Sequence, residues 1–108
     1  MVARVWYGYT TPENADAYEA MLKPELLPGL NQKPGFRGSF IFRRPHGDEV
    51  EFVTIILWAS IDAIRAIAGD DYERAVVPDE RKKVLKRWNE KAAHYDMASA
   101  RLWVIDER

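Results

Sequence analysis

The sequence contains no cysteine, and only two of its 108 residues are histidine. Without cysteine there are no disulfides, no thiolate metal ligands and no cysteine nucleophile. The two histidines lie far apart and neither has a second ligand at helical or strand spacing, so they do not supply a catalytic metal site. Phosphate-binding glycine loops, nucleotide fingerprints and nucleophile elbows are also missing. We therefore expect no metal and no cofactor.

Long apolar runs and a charge imbalance are missing as well. The apolar runs are far shorter than the roughly 20 residues that cross a bilayer, and Met1 leads directly into a strand-like segment rather than a signal peptide. The formal net charge is −1, and the basic residues 81–87 are interrupted by apolar residues and balanced by acids. We expect a cytoplasmic protein that binds neither membrane nor nucleic acid.

What is present fits one globular domain. Hydrophobic residues make up 47% of the chain and charged residues 31%, which is typical of a folded protein whose length allows one core. The predicted domain covers residues 1–108, with its core at about 2–98 and a C-terminal tail at 99–108.

Residue patterns and turn signals predict the order strand, helix, strand, strand, helical segment, strand. The strands are expected at residues 2–9, 36–44, 50–58 and about 92–98. In the second strand, simple alternation puts Phe36, Phe40 and Phe42 on one face.

Three helical stretches are expected. The first begins with Thr11 as N-cap, carries the stripe Ala17, Tyr18, Met21 and Leu22, and breaks before Pro24, with Leu26, Leu27 and Leu30 continuing as a turn or a short helix. The second is capped by Ser60 and ends near Gly69. The third begins at Pro78 and has the inward stripe Val84, Leu85 and Trp88.

Right-handed connections place both helical layers on one face of this sheet, so the other face has no cover from the same chain. The third strand is nevertheless apolar on both faces, since Val53, Ile55 and Leu57 alternate with Phe52, Thr54, Ile56 and Trp58. A second copy packed sheet to sheet is the economical cover. We therefore expect a homodimer. The apolar tail around Leu102 and Trp103 is predicted to reach the partner, with folding back onto its own helices as the alternative.

Several segments carry a family resemblance when they are taken together in order and spacing. They are Leu27-Pro28-Gly29-Leu30, Lys33-Pro34-Gly35-Phe36-Arg37-Gly38, residues 52–58, residues 59–69, Asp71-Tyr72 and Ala93-His94-Tyr95. In these segments the chain resembles the antibiotic biosynthesis monooxygenase-like (ABM) family of dimeric α+β barrels. The resemblance implies an α+β, ferredoxin-like βαββαβ protomer with an antiparallel four-stranded sheet, a homodimer, and a pocket between helices and sheet.

Activities in that family are mixed, so the resemblance supports the fold more than the reaction. Some members are cofactor-independent oxygenases of polycyclic phenols or quinols, and others degrade haem. The haem-degrading branch has an axial histidine near the positions of Ala75, Val76 and Val77, none of which is histidine here. The resemblance thus implies a cofactor-independent monooxygenase acting on a small aromatic or polycyclic substrate. A non-catalytic dimeric ligand-binding or structural protein of the same fold stays open as the alternative.

The candidate site residues are four aromatic side chains and one histidine. Trp6, Trp58, Tyr72 and Trp88 are predicted to bind the substrate around one aromatic cavity, although aromatic residues at such spacing also serve as core. His94 is the predicted catalytic base, because an imidazole can remove a phenolic proton and leave an anion that reacts with dioxygen. The alternative for His94 is a structural hydrogen bond at a sheet end or dimer interface.

Overall fold

The computed structural model describes residues 1–24 and 29–102, which form an antiparallel sheet with helices on one face. The strands are β1 (Val2–Thr10), β2 (Phe36–His46), β3 (Glu49–Trp58), β4 (Arg87–Trp88) and β5 (Ala93–Asp96). Their order is β2-β3-β1-β4, and β5 also pairs with β1. The two short strands share one edge, since β4 pairs with Gly8 and Tyr9 while β5 pairs with residues 2–5. The ferredoxin-like α+β prediction is confirmed, with its fourth strand divided into two pieces.

The first helix, α1 (Ala15–Pro24), begins later than predicted. Thr11 caps the preceding turn, where its Oγ1 accepts the Asn14 N–H at 3.3 Å. The buried stripe is Ala15, Tyr18 and Leu22, and the prediction that Ala17 belongs to it is wrong. Alanines at 15 and 17 allow either helical phase, and the bulky Tyr18 and Leu22 decide between them. Leu26 and Leu27 lie outside the described residues, and Leu30 begins a 3₁₀ turn, Leu30–Gln32.

The second helix, α2 (Ile61–Ala68), follows the sequence signals closely. The Ser60 hydroxyl accepts the Ala63 N–H at 3.2 Å, and Gly69 ends the helix with a φ of 87°. Such a left-handed conformation favours glycine. Ile64 is fully buried against the sheet.

The third helix, α3 (Asp79–Lys82), has only four residues, so the prediction of a longer helix carrying Trp88 is wrong. The chain instead turns to pair with the open edge of β1. The Lys86 N–H donates to the Tyr9 carbonyl at 2.7 Å, and the Asn89 N–H donates to the Tyr7 carbonyl at 3.0 Å. This pairing satisfies backbone groups that a continued helix would leave open on the edge of β1.

A β-bulge near the start of β2 changes which phenylalanines share a face. Phe36 is the partner of Trp58 and Gly38 is the partner of Leu57, so one extra residue lies between them. Phe36 therefore faces the helices and contacts Trp58 edge-on at 5.9 Å between ring centroids. The prediction that Phe36 shares a face with Phe40 and Phe42 is wrong, because a bulge reverses the alternation.

The two faces of the sheet differ in their surroundings. On the helix side, Phe52 and Trp58 are buried at 1% and 0% exposure. The opposite face, called the outer face below, consists of alternate residues of β1, β2, β3 and β5. Its apolar and aromatic members are Ala3, Val5, Tyr7, Tyr9, Phe40, Phe42, Val53, Ile55, Leu57, Ala93 and Tyr95. Phe42 and Tyr95 are 54% and 60% exposed. None of the described helices has the length and apolarity needed to cross a membrane.

Candidate active site

A cavity of about 200 Å³ lies between the helix side of the sheet and the segment that follows α2. The central strands supply part of its wall, with Arg4 and Trp6 from β1 and Thr54 and Ile56 from β3. The remaining lining residues are Leu30, Ile67, Ala68, Ala75, Val76 and Arg81. An apolar wall with a few polar groups is typical of a small-molecule site.

Arg4 is the most unusual residue of this cavity, because it is a charged side chain at a core-facing position of a central strand. Its Nη1 donates to the Tyr72 carbonyl and lies 2.9 Å from His94 Nε2. Its Nη2 donates to the Arg74 carbonyl at 3.2 Å. Burial lowers the pKa of Arg4. Among the described residues, no carboxylate forms a salt bridge with it.

His94 lies next to Arg4 and is absent from the cavity lining. Because the Arg4 N–H points its hydrogen at Nε2, that nitrogen accepts, which assigns the proton of the neutral ring to Nδ1. Nδ1 is buried and has no hydrogen-bond partner among the described residues. Burial lowers the pKa of His94, the positive charge of Arg4 lowers it further, and Glu73 opposes both effects. The imidazole is therefore neutral at pH 7.

Of the four predicted aromatic residues, Trp6 alone lines the cavity. Its Nε1 donates to the Asn89 carbonyl at 2.7 Å. Trp58 is fully buried and packs in a core cluster with Val2 and Ile64.

The other two predicted residues lie outside the lining. Tyr72 places its ring edge-on to that of His94, 5.2 Å away, and carries the Arg65 guanidinium on its face. Trp88 packs against the core cluster that contains Leu85 and lines a separate surface pocket. The structure thus brings Trp6 to the cavity and Tyr72 to His94, encloses Trp58 in the core and leaves Trp88 partly buried beside a different pocket.

Sequence reasoning missed Arg4, Thr54 and Arg81 as lining residues. Alternation along the first strand puts Arg4 on the same face as Trp6, and an arginine at a core-facing position is the signal that could have identified it. Arg81 falls among the basic residues 81–87, whose mixed pattern gives no sign of a binding site. That run divides between α3 and β4, where Arg87 binds Glu49 bidentately at 2.8 and 3.1 Å.

The cavity residues do not fit a haem group. Ala75 and Val76 line the wall where the haem-degrading branch has its axial histidine, and no lining residue carries an imidazole, thiolate, thioether or phenolate that could bind the iron. The described residues also contain no group of three histidines or acids placed to hold a metal ion.

Comparisons with known proteins support the fold. No protein-family model matches the sequence, and a search of curated proteins found no match. Among solved structures, a Bacillus cereus protein provisionally called an antibiotic biosynthesis monooxygenase superposes with a TM-score of 0.63 at 14% identity, over 97% of this chain and 98% of that one.

Two further structures cover most of both chains. The haem degrader MhuD of Mycobacterium tuberculosis gives a TM-score of 0.60 at 17% identity, covering 93% of this chain and 98% of its own. The cofactor-independent oxygenase SnoaB of Streptomyces nogalater gives 0.52 at 14% identity, covering 92% and 95%. This chain therefore has the ferredoxin-like fold shared by antibiotic biosynthesis monooxygenase-type proteins.

Proposed function

We propose that the protein is a cofactor-independent monooxygenase that oxidises a small aromatic phenol or quinol. The observation that carries the proposal is the cavity itself, in which the indole of Trp6 and the guanidinium of Arg4 stand in an otherwise mainly apolar wall. An aromatic wall favours a flat ligand, and a fixed positive charge favours the anion that forms when a phenol loses its proton.

The proposed reaction uses dioxygen as the oxidant. The phenolic oxygen becomes one carbonyl of a quinone, and one atom of dioxygen replaces hydrogen on the ring to become the other. The second oxygen atom leaves as water with the two hydrogens, one from the hydroxyl and one from the ring carbon. The protein would contribute deprotonation, stabilisation of the phenolate and exclusion of bulk water.

His94 is the proposed base because Arg4 connects it to the cavity. Its imidazole is neutral, and its Nε2 lone pair is held 2.9 Å from the guanidinium. A phenol that takes the place of the Arg4 N–H at Nε2 would transfer its proton to the ring. The displaced N–H of Arg4 would then stabilise the phenolate.

Oxygen uptake tests this proposal directly. Purified protein is incubated with a panel of naphthols, anthrols and quinols, and the rate is compared with that of His94→Gln. We expect the substitution to lower the rate about 100-fold, the lower range for loss of a general base. His46→Gln at the end of β2, outside the cavity lining, serves as the control and should keep the wild-type rate. The absence of uptake with every member of the panel would reject the oxygenase.

A non-catalytic ligand-binding protein is the second candidate, and the position of His94 favours it. Nε2 is occupied by Arg4, and the described structure places Arg4 rather than His94 in the cavity wall. On this alternative, aromatic compounds bind in the cavity and no oxygen is consumed.

We also propose that the protein works as a homodimer through the outer face. That face is apolar over its centre, where Val5 pairs with Ile55 and Tyr7 pairs with Val53. Polar groups close one end, since Glu51 accepts hydrogen bonds from Arg44 at 2.7 Å and Tyr9 at 3.1 Å. An apolar centre with a polar rim is the usual composition of a protein interface.

A further inference from the structure

Arg4 has hydrogen-bond donors left over after its contacts with the protein are counted. A guanidinium has five N–H groups. Three of them are taken by the Tyr72 carbonyl, the Arg74 carbonyl and His94 Nε2. The remaining two, on Nε and Nη2, have no acceptor among the described residues. Neighbouring donors of this kind form the fork with which arginine binds a carboxylate bidentately.

The charges around Arg4 also indicate an anionic ligand. Three other arginines of the described chain have a carboxylate within 3 Å: Arg43 with Asp16, Arg44 with Glu51 and Arg87 with Glu49. Arg4 is flanked by two carbonyls and a neutral imidazole, although its side chain lies on the helix side of the sheet and lines the cavity. A buried charge without a counter-charge is costly, and a ligand that brings the opposite charge lowers that cost.

We infer that the ligand of this cavity is an aromatic carboxylate, whose carboxylate pairs with Arg4 and whose ring lies against Trp6. The inference rests on the proposed function in so far as that function makes this cavity the ligand site. The volume of about 200 Å³ lies below the roughly 300–1,000 Å³ of drug-sized pockets, so one or two fused rings fit better than a larger polycycle. The apolar wall disfavours a more highly charged group such as a phosphate monoester.

Binding of matched two-ring probes tests the inference without requiring turnover. Isothermal titration compares 2-naphthoate with 2-naphthamide, which has the same shape and no charge. We expect the wild-type protein to bind the carboxylate at least about 10-fold more tightly, as a charge-assisted bidentate pair implies. Arg4→Gln should remove that preference while leaving the naphthamide affinity within about twofold, and Arg4→Lys should retain part of it.

Arg37→Gln is the matched control, because Arg37 is exposed on β2 and its side chain donates a hydrogen bond to the backbone carbonyl of the adjacent Phe36. It should bind both probes as the wild type does. Far-UV circular dichroism establishes that each variant is folded. If Arg4→Gln does not fold, the naphthoate preference of the wild type and its reduction in Arg4→Lys decide the question.

Three results would overturn the inference: equal affinity for the two wild-type probes, an unchanged preference in the folded Arg4 variants, or tighter binding of 2-naphthyl phosphate than of 2-naphthoate. Measurements of oxygen uptake distinguish a failure of the carboxylate inference from a failure of the proposed oxygenase function. Arg4-dependent binding of naphthoate without oxygen uptake by any phenol rejects the oxygenase alone. Oxygen uptake together with equal affinities for the charged and the uncharged probe rejects the carboxylate inference and leaves the oxygenase proposal intact.

Discussion

Arg4 Nη1 lies 2.9 Å from His94 Nε2, so a permanent positive charge points at the nitrogen that would otherwise accept a proton. Residues 4 and 94 are direct partners across β1 and β5, and sheet register holds the two side chains together. Protonation of His94 would place two positive charges side by side in a partly buried site. Burial and this contact together lower the pKa of His94 and keep the imidazole neutral.

The pH titration of His94 should reflect this contact. Burial and Arg4 lower the pKa of His94 in the folded state, whereas the unfolded chain titrates near the ordinary value of about 6.5. Below that pH the unfolded state binds more protons than the folded state, so the free energy of unfolding decreases as the pH falls from about 7 toward the lowered pKa. NMR should give a His94 midpoint below about 6.5, and Arg4→Gln should raise it. His94→Gln assigns the resonance.

A His94 midpoint that does not move in Arg4→Gln would contradict this electrostatic explanation. The stability measurement has its own control in His94→Gln, which should lose the part of the pH dependence that begins below about pH 7 and comes from His94. Losses at lower pH belong to the carboxylates, since Arg44 and Arg87 lower the pKa of Glu51 and Glu49.

Gly35 immediately precedes β2 and packs against α2, so a side chain at this position should destabilise the fold. Its φ is 87°, and a Cβ built there would lie 2.6 Å from the Cβ of Ala63. The left-handed conformation costs about 1–2 kcal/mol for a non-glycine residue, and the clash adds about 1–3 kcal/mol. Gly35→Ala should lower the free energy of unfolding by about 2–5 kcal/mol in urea denaturation.

Two other glycines separate the contributions at Gly35. Gly47 has a φ of 61° with nothing within 4 Å of a built Cβ, so Gly47→Ala should cost only the backbone part, about 1–2 kcal/mol. Gly29 has a φ of −87° and equally open surroundings, so Gly29→Ala should be neutral or slightly stabilising. Equal losses at positions 35 and 47 would show that the contact with Ala63 contributes nothing.

Local signals predicted those parts of the fold that local chemistry determines. Ser60 and Gly69 bound α2 as expected, and the alternation of β3 put Phe52 and Trp58 on one face, which the structure shows to be the helix side. The prediction of a long third helix failed because residues 86 and 89 pair with Tyr9 and Tyr7, which lie about 80 residues earlier in the sequence, and such pairing leaves no local pattern. The prediction of the face on which Phe36 lies failed because one bulged residue reverses the alternation of the strand and leaves no sign in the composition.

The candidate site shows the same division. Parity correctly paired the faces of Trp6 and Arg4, and the structure confirms that both look toward the helices. Sequence cannot say which aromatic of a shared face reaches a cavity and which is enclosed by neighbours, because enclosure depends on where α2 and residues 75–81 pack. Trp58 is enclosed by Val2 and Ile64, while Trp6 is not.

The outer face predicts a dimer that a single charge should disrupt. Ile55 lies at its centre, opposite Val5 on one side and Phe40 on the other. Ile55→Lys would bury an unpaired ammonium in the proposed interface, and we expect light scattering to report a dimer for the wild type and a monomer for this variant. Ala66→Lys on the exposed side of α2 is the control and should stay dimeric. A wild-type monomer at micromolar concentration would reject the interface.

Trp6 and Trp58 should separate ligand binding from stability. Trp58→Phe shrinks a fully buried side chain and leaves a void, but it also removes a buried indole N–H that has no acceptor in the part of the chain that the structure describes. The two effects oppose each other, so we expect a loss of about 1–2 kcal/mol in the free energy of unfolding and a 2-naphthoate affinity within about twofold of wild type.

Trp6→Phe removes cavity wall and the N–H that holds the ring on Asn89, and the affinity should fall about fivefold, near 1 kcal/mol. Thermal denaturation and isothermal titration on the same preparations give both readings. If Trp58→Phe weakens binding more than Trp6→Phe does, the ligand lies deeper against β3 than the cavity indicates. Trp58 would then be a substrate-binding residue, as the sequence predicts.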